Sequence, residues 1–291
     1  MTPDGAVRVL GTAALSCRVD AAGVLHPGPG AAGASLPPWL VGVPARHGLR
    51  RLLAEHYPQP ERLSALDAVL LDDLPGLQII SGYAQLHEYA ARQDLAPPGR
   101  LMVNTCAGFA AGGAAVSGDE PLPDMLAGRP AAPDSLGGGA LTWHVEPSPA
   151  RGGMRRRRMV EVASGDGPAR LVRAWFRDSH TDDAGAEVIV HEYELRATIE
   201  EGATGLVVRD LEARPRVLPL PDCQNAVVEV LRLSDVALRD IDGAVRRELA
   251  GTRGCTHLND LVRALRVVPR LIDPPWEGQP GPTRTTKEKT P

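Results

Sequence analysis

The sequence predicts an α+β fold, in which an antiparallel β-meander precedes packed helices in the C-terminal half. Four segments alternate apolar and polar residues, at 155–164, 169–179, 187–200 and 205–213. Turns that contain glycine separate them, and helical apolar spacing returns only after the last one. Strands first and helices afterwards are typical of an α+β domain.

The sequence of the N-terminal half predicts a smaller lobe that consists of short strands and two helices. Residues 6–20 are expected to form one or two strands, and the Gly- and Pro-rich stretch 21–38 a loop. HGLRRLLAEHY places Leu49, Leu52, Leu53 and Tyr57 on one helical face. A second helix, ERLSALDAVLLDDL, is expected to end at Pro75-Gly76.

Three further helices are predicted after the meander, in CQNAVVEVLRL, DIDGAVRRELAG and THLNDLVRALRVV. The last two resemble the two N-terminal helices, so the N-terminal half is interpreted as a degenerate second copy, with chance similarity of generic amphipathic helices as the alternative. The predicted organisation is an N-terminal α+β lobe (1–110), a Gly/Pro/Ala-rich linker (111–140), a C-terminal α+β domain (141–272) and a disordered tail (273–291).

Composition excludes several classes of function. The chain has 291 residues, 43% of them hydrophobic, and a formal net charge of −4, as expected of a soluble protein. No apolar run reaches the ~18 residues of a membrane helix, and the slight acidity disfavours nucleic acid as a partner. The N-terminus lacks the basic start of a signal peptide, and arginine greatly exceeds lysine. We therefore expect a bacterial, cytoplasmic protein with no membrane partner.

The strongest local pattern for chemistry is GCTHLNDLVRAL, where Cys255 and His257 lie at a predicted helix N-terminus. The helix dipole and free amides at this position are expected to lower the pKa of a thiol. The two side chains could bind a metal or form a nucleophile–base pair. The alternative is a small buried cysteine and a histidine that hydrogen-bonds locally.

Cys223 opens the helix predicted after the last strand. If both helix starts lie at one end of the sheet, Cys223, Cys255 and His257 converge on a site suited to zinc or a softer metal. The alternative is that Cys223 is only a small core residue. None of the four cysteines lies in a C-x-x-C pair, so free thiols are expected.

Two further segments carry polar clusters. In FRDSHTDDAGAEVIVHEY, Asp178 is a candidate acid–base residue and His191 a candidate metal ligand, whereas Glu192 points to the opposite strand face and is expected to pair with an arginine. The alternative is a polar hairpin. MRRRRM, residues 154–159, is expected to be an exposed edge strand protected by charge, with recognition of an acidic substrate as the alternative.

FRDSH, VHEYELRA, ARPRVLPLPDC and GTRGCTHLNDLVRAL together resemble the bacterial family known only as domain of unknown function 2889. The resemblance covers about residues 140–270. It implies no activity, but it implies a shared set of positions: Asp178, His180, His191, Glu192, Cys223, Cys255, Thr256, His257, Asn259 and Asp260.

At the level of fold, the order of strands, helix-opening Cys and later Cys and His is similar to that of iron–sulfur scaffold and sulfur-acceptor proteins. That likeness implies a cluster or zinc held by Cys223 and Cys255, with the remaining ligand from the segment 178–192. His257 departs from the scaffold pattern because it follows the cysteine instead of preceding it.

Three functions follow as hypotheses. The first is an enzyme of small-molecule metabolism, with Asp178, Cys255 and His257 in acid–base or metal-assisted chemistry and metal bound by Cys223, Cys255, His257 and His191. The second is a zinc or iron–sulfur carrier without turnover. The third is a non-catalytic interaction module.

Overall fold

The computed structural model describes residues 13–28, 34–57, 66–81, 103–117, 129–130, 149–164, 167–203 and 205–273. Most of the predicted linker and nearly all of the predicted tail lie outside these ranges, so the domain boundaries stay predictions. None of the helices within the described ranges is long and apolar enough to cross a bilayer.

The N-terminal region contains a small sheet and two helices. The sheet places β1 (Leu15–Val19) between β2 (Leu25–Pro27) and β3 (Ala34–Ser35), and α1 (Leu49–His56) and α2 (Leu66–Ser81) follow. Their apolar residues form a core of their own, with Leu25, Leu40, Leu49, Leu53 and Leu71 among its buried members. A duplication of the C-terminal helices stays a prediction.

The predicted end of α2 at Pro75 is wrong, since the helix continues through Pro75 and Gly76 to Ser81. Tertiary packing here overrides the low helix propensity of both residues, which are buried against the C-terminal domain. Gly76 permits this close approach, because a Cβ atom there would collide with the Arg156 guanidinium.

The C-terminal half confirms the α+β prediction. The short helix α3 (Ala114–Ser117) precedes the main sheet. This sheet consists of four long antiparallel strands in meander order and a two-residue strand, β4, which pairs with β7. The strands are β4 (Arg129–Pro130), β5 (Met154–Ser164), β6 (Arg170–Thr181), β7 (Glu187–Gly202) and β8 (Gly205–Val217).

The helices after the meander match the prediction in part. The expected helix at residues 223–233 is wrong: two consecutive 3-10 helices, Pro221–Ala226 and Val228–Leu233, replace it. Their buried residues, Cys223 with Ala226 and Val230 with Leu233, repeat every three residues, which suits a helix with three residues per turn. Three helices then follow as α4 (Ile241–Glu248), α5 (Thr256–Arg263) and α6 (Val268–Ile272).

One face of the meander packs on these helices and forms the main core. Its largest buried members come from both layers, including Phe176, Tyr193, Leu195, Ile199, Leu211, Leu258 and Leu261. Burial of apolar area is the main stabilising contribution at such an interface. The same packing places the last part of β6 and the first part of β7, which contain polar residues, against the start of α5.

Ion pairs join the N-terminal helices to the C-terminal domain. Asp72 of α2 contacts Arg263 at 3.1 Å and Arg266 at 3.0 Å, while Arg50 of α1 reaches Asp260 at 2.6 Å. All five side chains except Arg50 are at most one-tenth exposed. The two regions are therefore held together by buried charge as well as by apolar contact.

MRRRRM forms part of an edge strand, β5, as predicted, but the exposure expected for its arginines is wrong, since none of the four is exposed. The Arg156 side chain is 3% exposed because Asp178 and Asp260 both neutralise it. Its neighbour Arg158 pairs with Asp73 of α2. Since Arg157 also pairs with Glu187, three of the four arginines pair with carboxylates of this chain and leave the substrate-recognition role without support.

Candidate metal centre

Three metal-ligating side chains converge between β7 and the start of α5. His191 comes from β7, Cys255 directly precedes α5, and His257 lies in the first turn of that helix. Each offers one ligand atom, and these atoms all lie within 4.8 Å of one another. We call these three residues the His–Cys–His cluster. They are 6%, 2% and 9% exposed, respectively, so the cluster lies inside the protein.

The strands set the positions of the residues on the sheet side. Asp178 of β6 lies directly opposite His191 of β7, just before a register shift between Asp178 and Ser179. Directly opposed residues of antiparallel strands share one face of the sheet. Glu192, on the other face, accepts hydrogen bonds from Arg177 and Trp175, as the alternation predicts.

The chain before α5 fixes the cysteine. Cys255 has extended backbone angles at the N-cap position, and Tyr193 of β7 donates a hydrogen bond to its sulfur at 3.4 Å. Gly254 is required beside it, because a Cβ atom there would collide with the Leu249 carbonyl. Thr256 does not cap the helix, and no side chain makes a cap hydrogen bond there.

The spacing of the donors is close to that of a zinc site. Cys255 Sγ lies 3.8 Å from His257 Nδ1, and the imidazole rings of His191 and His257 stack with centroids 3.5 Å apart. A tetrahedral zinc with ordinary Zn–S and Zn–N bonds would separate sulfur and nitrogen by about 3.6 Å. The sulfur–nitrogen distance thus suits one ion, whereas the stacked imidazoles must tilt apart for both to direct a ring nitrogen at it.

Two ring nitrogens of the cluster have no hydrogen-bond partner. His191 Nδ1 and His257 Nε2 are fully buried and make no hydrogen bond. Buried polar atoms are nearly always hydrogen-bonded, so such atoms call for an explanation such as a ligand. A metal ion bound to one nitrogen of each imidazole, with a carboxylate on the other nitrogen of His257, would remove most of this cost.

That carboxylate is present. His257 Nε2 lies 3.5 Å from Asp178 Oδ2, while His257 Nδ1 faces the sulfur of Cys255. Arg156 holds Asp178 with two hydrogen bonds of 2.9 Å and also donates to Asp260. A carboxylate behind a metal-ligating histidine fixes the ring orientation and the tautomer.

Burial dominates the protonation of the cluster without a metal. It lowers the pKa of His257 to about 3, with a further contribution from the Arg156 charge, and it lowers the pKa of His191 well below 6.5. Burial also raises the pKa of Cys255 to about 11, outweighing hydrogen bonds from Tyr193 and from backbone amides. The expectation that the helix N-terminus lowers this thiol pKa is therefore wrong. For Asp178, burial raises the pKa to about 6 against the opposing charge of Arg156.

Cys223 lies outside the His–Cys–His cluster. It is buried with Leu220 in a small apolar cluster beside Phe109, and a Cβ atom on Gly108 would lie 2.7 Å from its sulfur. Its 3-10 helix packs on the segment 103–117, and its thiol is not among the donor atoms that lie within 4.8 Å of one another. The set predicted from sequence, Cys223 with Cys255 and His257, is not the set that the structure brings together.

The structure does assemble the three predicted acid–base residues, Asp178, Cys255 and His257, together with the predicted ligand His191. Their roles stay predictions. The sequence reasoning missed Tyr193 and Arg156. Tyr193 could have been found, since it lies two residues after His191 and thus on the same strand face. Arg156 lay within a run whose four arginines look equivalent in sequence.

Residues 154–270 match the model of a family described as "Protein of unknown function (DUF2889)". The match confirms the resemblance seen in the sequence and includes every residue of the His–Cys–His cluster. No curated protein and no solved structure matches the chain.

Proposed function

We propose that the C-terminal domain binds one divalent transition-metal ion, zinc in the first instance, through His191, Cys255 and His257, for metal-assisted chemistry on a small molecule. The observation that carries the proposal is the convergence of three buried donors within 4.8 Å, one of which, His191, has a buried Nδ1 atom without a hydrogen-bond partner. Such a set is costly to bury without a ligand.

The donor types favour zinc. Two imidazoles and one thiolate are ligands that zinc accepts, and catalytic zinc sites use three protein ligands with a fourth position left open. A zinc ion held in this way supplies Lewis-acid chemistry and acidifies bound water. A fourth position is the reason to favour an enzyme over a purely structural site.

Residues around the proposed ion would orient its ligands and serve in acid–base chemistry. Asp178 would hold His257 through Nε2 so that Nδ1 faces the ion, and Arg156 would keep Asp178 in place. Tyr193 would hydrogen-bond the sulfur of Cys255 from the side of the sheet. Asp178 is also the nearest carboxylate for acid–base work, as the sequence suggested.

An iron–sulfur carrier receives less support. Iron–sulfur clusters are held mainly by several cysteine thiolates, whereas the His–Cys–His cluster offers one. Cys223, the second thiol that the iron–sulfur hypothesis requires, lies in a separate apolar cluster. All four cysteines are free thiols, which is consistent with the proposed location in the reducing cytoplasm of a bacterial cell.

The test is zinc content measured on two cysteine variants. The full chain, Cys255→Ser and Cys223→Ser are purified with zinc present, dialysed and assayed for metal, with circular dichroism as a check on folding. We expect about one zinc ion per chain in the wild type and in Cys223→Ser, and almost none in Cys255→Ser. Equal zinc content in a folded Cys255→Ser variant, or no zinc in the wild type, would refute the proposal.

A further inference from the structure

A second, separate cavity lies on another face of α5. It has a volume of about 290 Å³, and Thr256, Asn259, Asp260 and Arg263 line one side of it. These residues follow the i, i+3, i+4, i+7 spacing of a single helical face. Neither Cys255 nor His257 lines it, so the cavity is distinct from the candidate metal centre.

The charges around this cavity are nearly balanced. Beneath it, four arginines face four carboxylates in contiguous ion pairs: Arg50, Arg156, Arg263 and Arg266 with Asp72, Asp178, Asp242 and Asp260. Because these charges neutralise one another, the network as a whole has little attraction left for an ion. Any net charge of the cavity must come from another residue.

Arg246 is that residue. It lines the cavity from α4, it is exposed, and it makes no hydrogen bond or ion pair with any part of the chain that the structure describes. Its neighbour Arg247, by contrast, lies beside Glu248 and does not line the cavity. One guanidinium without a counter-ion therefore faces a small cavity that is open to solvent.

The remaining lining can hydrogen-bond a ligand. Thr256, which begins α5, contributes a hydroxyl group to the lining. A hydroxyl group can donate or accept a hydrogen bond, so the cavity offers a polar group of α5 as well as the cation of α4.

We infer that this cavity binds a small organic oxyanion, whose carboxylate or phosphate group pairs with Arg246 and whose polar groups hydrogen-bond the Thr256 hydroxyl. A guanidinium forms charge-assisted, often paired hydrogen bonds with either group. The volume admits only a small molecule. The anion site is independent of the metal ion and goes beyond the proposed function.

The test uses the full chain stripped of metal by a chelator, so that no ion at the His–Cys–His cluster can bind the probe. Isothermal titration calorimetry is performed with inorganic phosphate and, separately, with glycolate, which carries a carboxylate and a hydroxyl group. Arg246→Gln is compared with Arg247→Gln, which removes the same charge from the next residue of α4. Zinc content of both variants is measured in parallel.

We expect the wild type to bind at least one of the two probes with a millimolar or tighter Kd. Arg246→Gln should weaken this binding about tenfold and Arg247→Gln less than about twofold, with zinc content unchanged in both. The preferred probe distinguishes a phosphate site from a carboxylate site. Absence of binding by either probe, or equal losses in the two variants, would overturn the inference whatever the zinc content.

Discussion

Two buried polar regions lie on either side of Arg156 and differ in how their groups are satisfied. In the first, Arg263 and Arg266 each contact both Asp72 and Asp242, so every buried charge faces an opposite one, although the Nε atoms of both arginines make no hydrogen bond. In the second, the His–Cys–His cluster, buried donor atoms face one another, and His191 Nδ1 lacks a hydrogen-bond partner. We call the first region the arginine–carboxylate network.

The difference teaches what each region needs. Paired charges offset their own desolvation, so the arginine–carboxylate network needs no added ion to balance its charge and serves to join α2 to the C-terminal domain. The His–Cys–His cluster offers electron pairs that the proposed metal ion would accept. The following changes should affect one region and spare the other.

The largest effect is expected from Asp72→Ala. This change leaves Arg263 and Arg266 with one carboxylate fewer in a buried site, and breaking a buried ion pair in this way costs about 3–5 kcal/mol of folding free energy. Urea unfolding measures the loss, and zinc content should stay at the wild-type level. Glu212→Ala, at an exposed pair with Arg214, is the control and should leave the transition unchanged. Equal midpoints for the two variants would contradict the role of the network.

Zinc should stabilise the wild type by about 4 kcal/mol when the free ion is a thousandfold above its Kd, because a ligand that binds only the folded state shifts the unfolding equilibrium. Denaturation with zinc and with a chelator measures the difference. His191→Ala should unfold at the same point under both conditions. A zinc-dependent shift that persists in this variant would show that the ion binds elsewhere.

A smaller effect is expected from Asp178→Asn. The amide keeps the shape of the side chain but removes the charge behind His257, and loss of such a carboxylate lowers metal affinity about 10- to 100-fold. Competition with a chromophoric chelator gives the zinc affinity. Asp242→Asn, in the arginine–carboxylate network, is the matched change and should leave this affinity within about twofold. Affinities that fall together would mean that the two regions are not separable.

Acid should weaken the arginine–carboxylate network gradually. Although burial raises the pKa of Asp72, the charges of Arg263, Arg266 and Arg50 outweigh it and hold this pKa below its ordinary value of 3.8. Because the folded-state pKa is the lower one, the stabilisation is fully present above the unfolded-state value and is lost as the pH falls below it. The difference in unfolding free energy between wild type and Asp72→Asn should therefore shrink below about pH 4. A difference that stays constant down to pH 2 would contradict the assigned pKa shift.

The sequence predicted the sheet well and the site in part, for a physical reason. The four long strands could be predicted because alternation of apolar and polar residues is a property of the local sequence. The same alternation placed His191 and Glu192 on opposite faces of β7. The course of α2 through Pro75 depends on Asp72 and Gly76 contacting another part of the chain. Local propensity contains no information about such contacts.

Local sequence also could not show which cysteine joins the histidines, because that depends on contacts between distant parts of the chain. Cys223 and Cys255 both follow turns and look equivalent in sequence, and packing alone separates them. The 3-10 helix of Cys223 packs on Gly108. Cys255, by contrast, is the extended residue directly before α5, and its sulfur lies beside Tyr193 and His257.

The central claim is that one ion binds His191, Cys255 and His257, and X-ray absorption at the zinc edge tests it most directly. A zinc shell with one sulfur near 2.3 Å and two imidazole nitrogens near 2.0–2.1 Å is the result that the structure predicts, at about these distances. A shell with two sulfurs would place Cys223 in the site, and a shell with no sulfur would remove Cys255 from it; either result would contradict the His–Cys–His cluster as the metal centre.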